Sequence, residues 1–336
     1  MSRKYHIYGI GNALVDFEIE TTPDELAELG VEKGVMTLIE EERQQELSRA
    51  FHGKHHSRAC GGSAANTIIG AQTLGSQCFY SCKVANDETG NFYRDDLIQH
   101  GVHSNLSTES LAEGKTGKCL VMITADADRT MNTFLGITGD IGFEQINEDA
   151  LVNSDYLYVE GYLASSPVAV DAVLKAKSLA KANQVKVAFS LSDPNMVKFC
   201  REGLEKMIGE GVDILFCNYD EATQYSGTES LEEAVKVLSL LAKTVVITLG
   251  PDGAMIVDGE SHIKVEGNPV EAIDTNGAGD LFAGSFLHAI GQRMPLESAG
   301  KLASFASSQL VTQFGPRLTD SKLAIVKAFA KELQQS

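Results

Sequence analysis

Tyr156-Leu157-Tyr158-Val159-Glu160 is the first of four short apolar runs that decide the fold. Val185 to Leu191, Val212 to Cys217 and Thr244 to Leu249 follow, their starts about thirty residues apart. The segments between them have helical periodicity. A parallel neighbour needs a crossover of roughly a dozen residues or more, usually a helix, whereas an antiparallel one needs only a tight turn. The rhythm is that of repeated βαβ units, and it predicts a mostly parallel sheet with helices on both faces. Outward from this block, Tyr5 to Ile10 and Cys78 to Val84 read as further buried strands. Ala254 to Val257 and His262 to Val265 add two strands near a sheet edge, and helices starting at 278, 296 and 320 close the chain. Phe17 to Glu20 and Val35 to Ile39 alternate weakly around Thr21-Thr22-Pro23, and 119–125 with 130–136 read as a hairpin around Asp126-Ala127-Asp128-Arg129. These early strands do not fit the βαβ rhythm, so a small sheet beside the core is expected, a lid contributed by about 13–40 and 117–137.

The chain has 336 residues, 43% of them hydrophobic, which suits one large domain and a sizeable core. No apolar run approaches the roughly 18 residues needed to cross a bilayer. The amino terminus, Met1-Ser2-Arg3-Lys4-Tyr5, leads straight into a strand, so the expected compartment is the cytoplasm, with no membrane partner. Six cysteines are scattered through a chain too large to depend on a disulfide framework, and all are expected as reduced thiols. A formal charge of −18 argues against a nucleic-acid partner, which needs clustered Lys and Arg. It does not argue against a small anion held at a helix end.

One stretch carries such an end. Asp274-Thr275-Asn276-Gly277-Ala278-Gly279-Asp280 opens an apolar segment whose residues 281, 282, 286, 289 and 290 follow helical spacing. Glycines let the main chain approach a ligand, and the unpaired N–H groups of a helix start carry roughly half a positive charge. Asp280 falls in the first turn beside that anion site, where a carboxylate repels the ligand unless it takes a proton from an attacking hydroxyl. An ordinary glycine turn capped by aspartates fits the same seven residues.

Other candidates are weaker. Phe51-His52-Gly53-Lys54-His55-His56 invites a metal reading, but no further ligand completes it and a solvated loop is expected. Ser63 reads as the N-cap of a helix over Ala64 to Leu74, and Asp87 as that of a helix reaching about His100. Gly114-Lys115-Thr116 ends like a Walker A loop, yet Glu109 stands where its first glycine belongs. Gly9-Ile10-Gly11 begins like a dinucleotide fingerprint, yet Leu14 replaces its third glycine, which speaks against an NAD-dependent dehydrogenase. Asn218 and Glu221, three apart at a helix start, can face the same way.

Gly61-Gly62-Ser63-Ala64-Ala65-Asn66 and Asp274 to Asp280 resemble, in order and separation, the two diagnostic motifs of the PfkB, or ribokinase-like, kinases. Asn218-Tyr219-Asp220-Glu221 is similar to that family's Asn-x-x-Glu motif. Thr248-Leu249-Gly250-Pro251-Asp252-Gly253 is similar to its nucleotide-side strand and turn. The resemblance spans essentially the whole chain. Within the family it is greatest to the adenosine kinase branch, through Gly9 to Asp16, Ser190-Leu191-Ser192-Asp193-Pro194 and Val212 to Asn218. Ala64-Ala65 and Tyr162-Leu163 depart from the Thr-Gln and the aromatic pair of animal adenosine kinases. Both differences lie on the base side.

The resemblance implies a ribokinase-like α/β fold over residues 1–336, a three-layer α/β/α sandwich with a small β lid. It implies ATP-dependent transfer of the γ-phosphate to the 5′-hydroxyl of a nucleoside, adenosine first. A sugar kinase acting on ribose, fructose or 2-keto-3-deoxygluconate is the alternative, and a non-catalytic nucleotide- or sugar-binding regulator ranks below it, since a sensor needs no base at Asp280. Asp280 would be the general base, with Gly277, Ala278 and Gly279 presenting N–H groups to the phosphoryl group. Asp16, Asn66 and the Gly62 backbone would hold vicinal hydroxyls, with Asn12, Ser63 and Tyr162 as further acceptor contacts and Arg129 closing over the phosphate. Asn218, Glu221, Thr248, Gly250, Gly253, Asp274 and Asn276 fall on the nucleotide side, with Glu221 reaching Mg²⁺ through water. The segment from Lys301 to Gly315 would form part of the adenine pocket. A monovalent-cation site such as one for K⁺ near Asp274 belongs to the same implication. A lid can shield a site alone or pair with another lid, so a monomer and a homodimer both fit.

Overall fold

In the computed structural model, which describes residues 3–109, 111–126 and 129–335 and of residues 55–57 the backbone alone, two sheets carry the strands. In chain order these are β1 (Tyr5–Ile10), β2 (Leu14–Glu20), β3 (Met36–Leu38), β4 (His55–Gly61), β5 (Cys78–Ser81), β6 (His103–Ser104) and β7 (Gly117–Ile123). They continue as β8 (Arg129–Phe134), β9 (Ser154–Glu160), β10 (Lys186–Ser190), β11 (Val212–Asn218), β12 (Ala242–Thr248), β13 (Ala254–Asp258) and β14 (Ser261–Val265). The larger sheet has the order β14-β13-β12-β11-β10-β9-β1-β5-β6. From β12 to β6 every neighbour is parallel, and the β13–β14 hairpin is added antiparallel at one edge. β1 is central, with Ile7 opposite Cys78 on one side and Tyr156 on the other.

Because both faces are covered, successive strand residues feed different cores. Ile7, Tyr158, Phe216 and Val246 enter one, and Tyr8, Leu157, Leu215 and Val245 the other. The helices are α1 (Pro23–Glu28), α2 (Glu41–Ala50), α3 (Ser63–Leu74), α4 (Glu88–Gln99), α5 (Glu148–Val152), α6 (Pro167–Ala182) and α7 (Pro194–Phe199). After them come α8 (Arg201–Ile208), α9 (Tyr219–Ser226), α10 (Leu231–Leu238), α11 (Ala278–Gly291), α12 (Leu296–Leu310) and α13 (Asp320–Gln335). α3, α4 and α11 to α13 pack on the first face, α5 to α10 on the second. The result is a ribokinase-like α/β fold with a mostly parallel sheet between helical layers.

α11 is buried from Leu281 to Ala289, as its apolar spacing requires. It crosses α3 closely at Gly284, where a Cβ would lie 2.3 Å from the Thr67 carbonyl oxygen. That contact locks the helices carrying the two glycine motifs into one unit.

The smaller sheet has the order β3-β8-β7-β2-β4. Its outer face packs on α1 and α2 through Ile19, Leu26, Leu47, Phe51, Leu120 and Met122, and its inner face looks toward the carboxyl ends of the parallel strands. It also takes in β4, a stretch the sequence reading left partly in a loop. His55 and His56 therefore belong to a strand, and their side chains lie outside the described residues. So does the hairpin tip at 127–128. Asp16 is a strand residue of β2.

The N-cap of α3 is Gly62, not Ser63, whose hydroxyl is used elsewhere. Asp87 does cap α4, accepting from Gly90 N, and its carboxylate also takes the Thr116 N–H and hydroxyl at 2.9 and 2.7 Å. The Walker-like Gly114-Lys115-Thr116 is thus a structural tie to a helix cap. All six cysteines are free thiols, Cys200 half-buried and the rest buried. Among the described residues no helix is long and apolar enough to cross a membrane.

Candidate active site

Parallel strands end with their carbonyl edges and following loops facing one side, which is where open α/β sheets hold ligands. Asn12 after β1, Glu160 ending β9, Ser190 ending β10, Asn218 ending β11 and Thr248 ending β12 border a cleft of about 620 Å³ roofed by the small sheet. The structure brings Asp16, Gly62, Ser63, Asn66, Arg129, Tyr162, Glu221, Asn276 and the turn from Gly277 to Asp280 together around this cleft. Gly250, Gly253 and Asp274 do not line it. Gly250 and Gly253 flank a 3₁₀ turn between β12 and β13.

Gly277 is the N-cap of α11, with φ of 75°, and a Cβ there would lie 2.8 Å from Pro316. The left-handed backbone and the crowding both call for glycine. Leu281 N makes the first intrahelical bond, to Gly277 O at 2.8 Å, while Ala278 N turns back to Thr275 O at 3.2 Å. Of the three N–H groups expected to face an anion, Ala278's is thus committed. Those of Gly277 and Gly279 have no protein acceptor among the described residues.

Asp280 stands in the first turn. Its Oδ1 accepts from the Ser63 hydroxyl at 2.6 Å and its Oδ2 from Asn66 Nδ2 at 3.1 Å. Burial raises its pKa to about 6, and the two donors oppose the rise. Gly62, with φ of 93°, brings the start of α3 against Asn12, whose carbonyl oxygen leaves no room for a Cβ. The side-chain oxygens Asn12 Oδ1 and Asn66 Oδ1 are buried without a hydrogen-bond partner among the described residues. Asp16 has its pKa raised to about 7, first by burial and next by Glu18, against Arg317 and Arg129. Two undonated amide oxygens and the Asp16 carboxylate line the cleft together, and a buried acceptor without a donor is costly.

Asn218 and Glu221 form a closed pair. Asn218 caps α9 by accepting from Glu221 N at 2.8 Å. Glu221 returns both oxygens to Asn218, to N at 3.1 Å and to Nδ2 at 2.7 Å. Glu221 is only 4% exposed, so it is no solvated helix face, and burial raises its pKa to about 7. Among the described residues no cluster of three or more His, Cys, Asp or Glu could hold a metal ion. Glu221 and Asn218 are oxygen and amide groups of the kind that could order water around a divalent ion carried on a nucleotide's phosphates.

Asp274 staples the turn. Its Oδ1 accepts from Asn276 N at 2.8 Å. Its Oδ2 accepts from Gly315 N at 2.8 Å and from the guanidinium of Arg129, which crosses from β8 of the small sheet. Arg129 is 13% exposed at the side chain, far from a solvated hairpin tip. The carboxylate expected beside a monovalent cation is thus paired here with a guanidinium.

Glu160 escaped the sequence reading. It is 1% exposed and accepts from Asn12 N at 2.7 Å and Ala64 N at 2.6 Å, bridging the loop after β1 to the start of α3. Burial raises its pKa to about 7, against those two N–H groups. Its signal was present: an acid ending the otherwise apolar run from Tyr156.

A helix start with unpaired N–H groups and a carboxylate in its first turn, beside a cleft of buried oxygen acceptors, fits a phosphotransferase with an alcohol acceptor. The chain belongs to the pfkB family of carbohydrate kinases, whose model matches residues 34–323. That family binds ATP, with a divalent metal, and a small nucleoside or sugar. Adenosine kinase from Sinorhizobium meliloti superposes with a TM-score of 0.89 at 35% identity, over 97% of this chain and 99% of its own. A probable sugar kinase from Rhizobium etli CFN 42 does so with a TM-score of 0.90 at 32% identity, over 99% and 100%. Among curated proteins, ribokinase of Staphylococcus aureus (strain COL) is 27% identical over 82% of this chain and 89% of its own.

Proposed function

We propose that this kinase transfers the γ-phosphate of ATP to the 5′-hydroxyl of a nucleoside, adenosine first. The observation that carries this reading is a gradient across the inner face of the small sheet. One cross-strand row runs from Leu38 through Thr133 and Cys119 to Asp16, and the next begins with Met36 opposite Met131. Met36, Leu38, Met131 and Leu135 make the cleft apolar at the β3–β8 edge, while β2 presents Leu14 and the acidic Asp16. Leu38 is 46% exposed at that edge. A free sugar has hydroxyls on all sides and gains nothing from such a wall. A ribose bearing a flat base matches both ends, the two protons of its diol finding acceptors among Asp16, Asn12 Oδ1 and Asn66 Oδ1.

In this reading Asp280 takes the proton of the acceptor's primary hydroxyl as that oxygen bonds to the γ-phosphorus. The bond to the bridging oxygen of ADP breaks, and the proton then leaves Asp280 for solvent. The Gly277 and Gly279 N–H groups meet the phosphoryl oxygens, and Arg129, once drawn from Asp274, adds positive charge. Magnesium on the nucleotide would neutralise phosphate charge, with Glu221 and Asn218 ordering water around it. Ile273 and Phe314, 43% and 65% exposed on segments joined by the bond from Ile273 N to Val311 O, offer apolar surface for the adenine of ATP.

A sugar kinase is the second reading, supported by the likeness to ribokinase and by the indifference of Asp16 and Asn66 to what else a polyol carries. ATP consumption measured with adenosine, inosine, guanosine, ribose, fructose and 2-keto-3-deoxygluconate separates the two. Turnover of a nucleoside is expected. Turnover of a sugar with none of any nucleoside would replace the first reading by the second, and binding without turnover would leave a regulator.

A further inference from the structure

An aspartate's terminal torsion is broad and roughly two-fold, so backbone placement alone does not orient its carboxylate. Asp280 needs such orientation, because an unshared lone pair must point at the incoming hydroxyl. Two groups supply it from one helix. Ser63 and Asn66, one turn apart on α3, donate to different oxygens of Asp280, at 2.6 and 3.1 Å. α3 is fixed against α11 by the close crossing at Gly284. We infer that Ser63 is a positioning residue: its hydroxyl proton is committed to Asp280 Oδ1 and sets the carboxylate's orientation, and the residue does not hold the acceptor. The inference rests on the kinase reading for its consequence in turnover, but the hydrogen bond itself can be read without any reaction.

Glu160 on β9, Glu221 on α9, Asp16 on β2 and the phenols of Tyr158 and Tyr162 also face Asp280. None of them is hydrogen-bonded to it among the described residues. Their influence is the same whether or not Ser63 carries a hydroxyl, so a Ser63 variant isolates one bond.

The test uses the full chain labelled with carbon-13 at aspartate carboxyls, the Asp280 signal being identified by its loss in Asp280→Asn. In Ser63→Ala the titration midpoint of Asp280 should rise by about 0.5–1 unit, since a donor to the charged form is lost. In Ser63→Thr, which keeps the hydroxyl, it should return toward the native value. With the acceptor found by the substrate screen, Ser63→Ala should lower kcat about tenfold, with KM for both substrates nearly unchanged and the acidic limb of kcat moved to higher pH. An unmoved midpoint overturns the inference, as does a rise in acceptor KM with kcat and its pH limb unchanged. The titration needs no turnover, so a chain inactive on every acceptor would defeat the kinase reading while still deciding this one.

Discussion

Five carboxylates line one cleft, and burial lifts each above its ordinary range, Asp280 to about 6, Asp16, Glu160 and Glu221 to about 7, and Asp193 upward as well. Residues so placed oppose folding at neutral pH, because a carboxylate charged in the unfolded chain must either stay charged in a poorly solvated site or take up a proton, and sites that do chemistry hold such groups. Asp280 is the one with an anion-receiving turn on its own helix. Asp280→Asn should keep its thermal transition and far-UV circular dichroism, yet lose about 10²- to 10⁴-fold in kcat. The proton must be off Asp280 for it to act as a base. Native kcat/KM for the acceptor should therefore fall as pH drops through the range from 7 to 6, where Asp16 and then Asp280 take up protons; a profile flat down to pH 5 would contradict the assignment.

At the scale of elements, the site depends on how α3 meets α11. One helix brings Ser63 and Asn66, the other the turn and Asp280, and the crossing at Gly284 sets their separation. A Cβ at 284 would strike the Thr67 carbonyl at 2.3 Å, a backbone atom that cannot rotate away. Alanine is the better helix former by about 1 kcal/mol, but here crowding outweighs it. Gly284→Ala should lose about 1–3 kcal/mol in denaturant unfolding and lower kcat more than tenfold, because small misplacements of reacting groups are costly. A variant as stable and active as the native chain would show that the crossing has slack. Arg129 belongs to the same scale, since its bond to Asp274 ties the small sheet to the anion turn.

At the scale of the whole molecule, the small sheet roofs the cleft, and in the nucleoside reading it would sort acceptors by their apolar part. Met131→Ser should raise KM for a nucleoside about tenfold and leave that for any free sugar within about twofold, since the lost surface, worth roughly 25 cal/mol per Å², touches only the base. Equal effects on both would remove the argument for a nucleoside. What the sequence determined by itself was what is local and periodic. The βαβ rhythm from Tyr156, the edge hairpin at 254–265, the helices from 278, 296 and 320, and a glycine turn with an acid in its first turn all follow from spacing within a few tens of residues. Only the tertiary structure decided which groups share a hydrogen bond across the fold. Ser63 reads as a helix cap until α11 offers it Asp280, 217 residues away in sequence. Arg129 reads as a hairpin tip until Asp274 arrives, Glu221 as a surface acid until Asn218 closes on it, and Glu160 as a strand end until two N–H groups converge on it. The reason is physical: a side chain's partner across the fold is set by the packing of elements distant in sequence, and no local pattern encodes that distance.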